Sequence, residues 1–220
     1  MVVTSAKPVP RQRVEEFVGR ITGEYVSELQ AGYLADQSWA VASLAQLRRG
    51  AGKLPQDVPE LWGMTGAERL FADETLSEAK AAQAETAMFL AVTLYALHQQ
   101  SQAEPMHRPG VELGEAVRRL MGDEIDEPIR RRFVRVGTAA TRDALATRLR
   151  EIITLLRRDA IPLDYGLLAG QLYLAQTPDG LRQVRQRWGR SFHAHRAKSA
   201  SPGESPATPS KPTPSDKEAA

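Results

Sequence analysis

Apolar residues fall at helical spacing along most of the chain. Between Arg11 and Leu29 they stand at Val14, Phe17, Val18, Ile21, Tyr25 and Leu29, which gives one amphipathic face. Gly32 is expected to end that helix, and Asp36 to cap a second one, Gln37–Arg49, that buries Trp39, Leu44 and Leu47. Ala51–Val58 reads as a loop, Pro59-Glu60-Leu61-Trp62 as a short helix opened by proline, and Ala67–Ala72 as a further turn. The stretch Thr86–Gly110 differs. From Ala87 to Leu97 only Thr93 interrupts the apolar run, so a helix here must be surrounded by other helices. It is expected to be capped by Thr75 or Ser77 and to run through Lys80 to about Gln100. A membrane span would need about 20 apolar residues, more than this run has. The chain leaves the helix through a basic turn, Met106-His107-Arg108-Pro109-Gly110.

Past that turn the helical pattern continues. Val111–Met121 places Leu113, Ala116, Val117 and Leu120 inward, with Arg118 and Arg119 at its end and Gly122 as the stop. Glu127-Pro128 opens a helix with Ile129, Phe133 and Val136 on one face and Arg130, Arg131, Arg132 and Arg135 around the rest. Thr141–Asp159 follows the period without error at Leu145, Leu149, Ile152, Ile153 and Leu156. Asp164 can cap Tyr165–Gln176, with Leu167, Leu168, Leu172 and Ala175 inward, and Thr177-Pro178-Asp179 signals the start of a last helix that packs Leu181, Val184, Trp188 and Phe192. No strand and no fixed-period repeat is evident. The expected fold is all-α, a compact bundle of about eight or nine helices over residues 11–198, with a division into lobes at about 11–105 and 106–198 left open. Met1–Pro10 reads as a flexible lead. Ser199–Ala220 has no large apolar residue and is dense in Pro, Ser and Thr, so it is expected to be disordered.

Charge sharpens this picture more than composition does. The net charge is only +2. Residues 1–106, however, carry nine Lys/Arg against thirteen Asp/Glu, while residues 107–200 carry eighteen against eleven. Arginine supplies nearly all the basic charge of the second half, which favours planar bidentate phosphate contacts, although a GC-rich coding sequence would also substitute Arg for Lys. The pair Arg48-Arg49 before Gly50, itself suited to a left-handed cap, can be read as dipole compensation at a helix end or as a phosphate clamp. In Arg130-Arg131-Arg132 the side chains spread over about 200° of a helix, so at least one is expected beside the apolar face. The chain has no cysteine, which excludes disulfides and thiol chemistry and fits a cytoplasmic protein. No secretory leader is expected at Met1–Thr22.

Candidate chemistry is sparse. His193 and His195, two apart, point in different directions on a helix and make no metal site. His107 beside Arg108 suggests a hydrogen-bond donor rather than a ligand. Gly50-Ala51-Gly52-Lys53 lacks the spacing and the hydroxyl residue of a phosphate loop. Glu15-Glu16 and Asp123-Glu124 read as solvated helix-terminal charges. The expectation is therefore no catalytic residue, no metal, no cofactor, no small-molecule substrate and no membrane partner. Arginines at helix ends and turns can instead reach phosphate oxygens without reading bases. Aromatic residues make up 6% of the chain and mostly occupy apolar helix positions, so a base-stacking platform is not expected.

Short motifs then fall into a known order. Leu44-Ala45-Gln46-Leu47-Arg48-Arg49-Gly50 and Val58-Pro59-Glu60-Leu61-Trp62 are followed by Met106–Val111 with Leu113-Gly114, by Arg131-Arg132-Phe133, by Ile161-Pro162-Leu163-Asp164-Tyr165, and by Arg187-Trp188-Gly189-Arg190 with Phe192. From Val14 to Phe192 the chain resembles the CasB family, the small subunit of the type I-E CRISPR Cascade effector complex. The resemblance implies an all-helical, non-catalytic protein, two copies of which lie side by side within an RNA-guided complex. Its partners would be the other Cascade subunits with their guide RNA, and the target and displaced DNA strands, held by their backbones. Base pairing with the guide supplies specificity in such machines. Matched position by position, Arg48 and Arg49 fall on the family's first basic pair and Arg131 and Arg132 on its second. Lys80 precedes the core helix, Arg108 lies in the matching turn, and Lys53, in the loop after the first pair, joins the candidate set. One departure stands out: Leu113-Gly114 is followed by Glu115 where members often carry Arg, so that contact is either absent or replaced through Arg118 and Arg119.

Two other readings remain open. A structural adaptor would use the same arginines against acidic protein partners. A helical transcriptional regulator would need a recognition helix, yet the N-terminal part is acidic and shows no short turn leading into one.

Overall fold

The computed structural model describes residues 13–71, 76–122 and 124–199, with side chains to Ala194. The expected flexible lead, the expected disordered tail beyond Ser199, and Thr75 as a cap all lie outside the described residues. Among the described residues eight α-helices run in the order α1 (Val14–Leu34), α2 (Ser38–Leu47), α3 (Glu78–Gln99), α4 (Leu113–Arg119), α5 (Glu127–Gly137), α6 (Arg142–Arg158), α7 (Tyr165–Leu174) and α8 (Gly180–Ser199). Short 3₁₀ turns at Arg48–Gly50, Pro55–Asp57, Pro59–Leu61 and Ala67–Leu70 fill the α2–α3 connection. Among the described residues the fold is all-α, with a single bridge between His107 and Leu163.

α3 is the centre of the bundle, as its all-apolar run requires: every residue from Ala87 to Ala96 is buried. Its one polar member, Thr93, donates its hydroxyl to the Phe89 carbonyl at 2.8 Å, so no unpaired polar group is buried there. α7, α6 and α1 lie against α3, α1 lies along α7 as well, and α5 lies on α6. α8 packs chiefly on α4. One contiguous apolar cluster runs through these helices from Phe17 to Phe192. α1 and α7 meet backbone to backbone through Gly19, Gly23, Gly166 and Gly170. A Cβ at Gly166 would stand 2.6 Å from the Gly19 carbonyl oxygen, and one at Gly170 would stand 2.5 Å from that of Glu15.

Several boundaries differ from the sequence expectation. Gly32 does not end α1. It lies inside the helix, where a Cβ would stand 2.6 Å from the Trp39 ring, so its role is to seat an indole. Trp39 is therefore not a core residue: one face rests on Gly32 and the residue is 52% exposed. Asp36 does not cap α2. With φ of +52° it makes the reversal between the helices, and Gln37 takes the N-cap position, its side chain accepting from the Trp39 indole N–H at 2.6 Å and not from the helix backbone. Gly50 is not a left-handed cap either; it lies in a 3₁₀ turn pressed against Leu61, Phe89 and Thr93. The expectation is met over α6, whose five periodic residues are all buried, and at Asp164, which accepts from the Leu167 N–H at 2.9 Å.

Candidate nucleic-acid interface

The Arg48–Lys53 segment is a backbone pinned to the core with its charges outside. Gly50 lies flush on α3, Ala51 and Leu54 are buried, and the Lys53 N–H donates to the Gly50 carbonyl at 3.0 Å. Asp57 closes the following turn by accepting from the Leu54 N–H at 3.2 Å. Gly52 takes φ of +80°, and a Cβ there would meet the Arg150 side chain of α6 at 2.8 Å, so only glycine lets the loop lie on α6. The Arg48, Arg49 and Lys53 side chains are exposed and make no hydrogen bond or ion pair with the described residues.

α5 presents the second pair. Its apolar stripe is anchored by buried Ile129 and Val136 and by Phe133, which stacks on Phe192 of α8 with ring centroids 5.6 Å apart. The Asp126 carboxylate caps the first turn, accepting from the Ile129 N–H at 3.0 Å. All four arginines of α5 are exposed, none of them held by burial against the apolar stripe. Two are instead neutralised on the surface. Arg130 makes a bidentate pair with Glu127, which holds that carboxyl below its ordinary range, and Arg135 lies 3.8 Å from Glu151 of α6. Arg131 and Arg132 make no hydrogen bond or ion pair with the described residues, Arg131 only adding its charge to the field that holds the Glu127 carboxyl low.

The two basic segments meet the same turn of α6. Gly52 packs on Arg150, while Arg135 reaches Glu151, and Arg148 donates to the Arg135 carbonyl at 2.6 Å. Arg150 and Glu151 are consecutive exposed residues, so the Arg48–Lys53 segment and α5 flank the solvent face of α6 from either side. Arg150 is a basic residue of this neighbourhood that periodicity alone did not single out, because its contact with Gly52 joins residues far apart in sequence.

The remaining candidates lie elsewhere. Arg108 projects from a rigid turn: Gln30 of α1 pairs with both backbone groups of His107, the Arg108 N–H donates to Leu163, and Gly110 donates to Asp164 at 2.7 Å. His107 Nδ1 accepts from the Tyr165 N–H, which fixes the ring within the turn and leaves its proton on Nε2. The turn borders a groove of about 750 Å³ along α1 and α7, where Glu15, Glu16, Glu24 and Glu28 outweigh Arg20 and Arg187; no α5 residue lines it. Lys80 is exposed near the start of α3. Arg119 forms an ion pair with Glu115 one turn back, and Arg118 is buried, donating to the Gly122 carbonyl. The departure at Glu115 thus has a local partner, and its partner is one of the arginines offered as a replacement.

Among the described residues no group of three or more His, Asp or Glu could hold a metal ion, and no helix is long and apolar enough to cross a membrane.

Comparison with known proteins follows the same line. Residues 43–193 match the family of CRISPR-associated protein Cse2. The crystal structure of CasB from Thermobifida fusca is 56% identical in sequence and superposes with a TM-score of 0.74 over 80% of this chain and 98% of that one. A chain of a CRISPR RNA-guided surveillance complex, 20% identical, shares the fold with a TM-score of 0.59 over 83% of this chain and 99% of its own. No curated protein matches. On the family match and the 56% identity, the chain belongs to the Cse2 (CasB) family.

Proposed function

We propose that the chain is the non-catalytic small subunit of a type I-E Cascade complex and holds nucleic-acid backbone while the guide-directed R-loop is open. The observation that carries this reading is the arrangement around α6. Unpaired Arg48, Arg49 and Lys53 stand on one flank and unpaired Arg131 and Arg132 on the other, each on a backbone fixed to the core. Cations not already held in an ion pair are free to neutralise DNA phosphates and displace their counterions. Arg108 and Lys80 are further contacts on other parts of the surface. Arg119 takes a lesser part, since Glu115 already balances its charge. The partners are the other Cascade subunits with their guide RNA, the target and displaced DNA strands, and a second copy of this chain. The second copy lies side by side with the first. A cytoplasmic location accords with this role.

The test is reconstitution of the RNA-guided complex with and without the full chain. The chain should co-purify with the complex and prolong its residence on target DNA. A chain that joins the complex and leaves that residence unchanged would favour the adaptor reading.

A further inference from the structure

The region around Arg48–Lys53 holds an aromatic ring that a backbone clamp does not need. Trp62 is 68% exposed, the most exposed large apolar residue among the described residues. It is nevertheless not loose. Its indole N–H donates to the Pro55 carbonyl at 3.1 Å, two residues beyond Lys53. The preceding Leu61 and Val58 are buried against Phe89 of α3, and a Cβ on Gly50 would stand 2.8 Å from Leu61, so the Trp62 turn and the basic turn are packed on each other. An apolar ring kept in water by a rigid frame, beside unpaired cations, is the arrangement that binds single-stranded nucleic acid: charges follow the backbone and a flat face receives a base. Trp39 provides the contrast. It is also half-exposed, but it lies at the opposite end of α2 with one face on Gly32.

We propose that Trp62 stacks on an unpaired nucleobase, so that the Arg48–Lys53 segment grips single-stranded DNA by base as well as by phosphate. The proposal rests on the DNA-binding reading above. It replaces the expectation that no stacking platform exists, and it selects an unwound strand over duplex, whose bases are already stacked. Sequence preference should be slight, since every base has a face to offer.

The experiment uses the reconstituted RNA-guided complex containing the full chain, bound to a target with a preformed bubble. Its non-target strand carries either normal bases or abasic sites through the unwound stretch, which keeps the phosphates and removes the rings. Trp62→Ala should speed dissociation from the base-bearing target about tenfold and leave dissociation from the abasic target unchanged, while Trp62→Phe, which keeps a ring, should stay near the native rate. Trp39→Ala should not change the ratio between the two targets. Equal effects of Trp62→Ala on both targets, or none on either, would overturn the proposal. So would failure of the Trp62→Ala chain to enter the complex, which would make Trp62 a protein contact. The underlying DNA-binding reading fails separately, if Arg48→Ala with Arg49→Ala leaves both dissociation rates as they were.

Discussion

The Tyr165 hydroxyl lies 2.7 Å from Nδ1 of His98, joining the first turn of α7 to the last turns of the central helix α3. Both side chains are fully buried, and the Tyr95 ring meets Tyr165 edge-on at 5.4 Å. With Nδ1 accepting from the phenol, the Nε2 hydrogen points toward the Leu156 and Ile161 carbonyls without reaching good hydrogen-bond geometry. Burial pushes the imidazole down to about 4 from its ordinary 6.5.

A pH dependence follows from that shift. The folded state favours neutral His98, so the unfolded chain takes up the proton first as pH falls. The stability this confers is complete above about pH 6.5, declines between 6.5 and 4, and levels off below, for a total of about 3 kcal/mol. Glu28 and Asp159, whose carboxyls are held low by Arg69 and Arg158, also lose stability in acid, so the informative quantity is a difference. Denaturant unfolding of the native chain and His98→Asn across pH 4 to 7 should show a shallower slope for the variant. Parallel slopes would remove His98 as the cause.

Gly114 is the tightest contact between α4 and α8, because a Cβ there would run into the Trp188 carbonyl and the Ser191 hydroxyl. Backbone cannot yield as a side-chain tip can. Gly114→Ala is therefore expected to destabilise the chain by at least about 3 kcal/mol, measured by thermal or denaturant unfolding.

Ala160 holds φ of +50° just past the end of α6, where the Ile161 N–H returns to the Leu156 carbonyl at 2.9 Å. Left-handed backbone suits glycine, and the site is exposed. Ala160→Gly should stabilise the protein by about 0.5–1 kcal/mol, the relieved strain exceeding the added chain entropy. A lower melting temperature for this variant would contradict that balance.

Glu115 pairs with Arg119. Glu115→Gln should leave Arg119 free to reach phosphate, steepening the slope of log affinity against log salt for target DNA by up to about one contact's worth. An unchanged slope would place Arg119 outside the DNA path.

Legibility in the sequence followed the physics of each element. α3 and α6 were readable because one is apolar throughout and the other strictly periodic, and Asp164 was readable because a cap acts on its own helix. What escaped depended on partners distant in sequence. Gly32 carries the signature of a helix stop, yet it is needed small because Trp39 returns across it. Gly19, Gly23, Gly166 and Gly170 matter only as a pair of facing spacings on two helices. The basic pairs were visible as composition, but not which charges stay unpaired: Arg130 and Arg119 find acids, Arg118 is buried, and Arg150 is brought to Gly52 by the fold. Trp62 went unmarked because nothing local shows its ring facing water.

The most direct test of the central claim is a salt series of target-DNA binding by the reconstituted complex, comparing the native chain with one carrying Arg48→Ala, Arg49→Ala, Arg131→Ala and Arg132→Ala. Each phosphate contact contributes about 0.7 to 0.9 to the slope of log affinity against log salt. The account predicts that the variant assembles normally, binds more weakly at low salt, and shows a slope flatter by up to about three units. Loss of assembly, with residual DNA binding keeping the native slope, would contradict it and assign these arginines to protein partners.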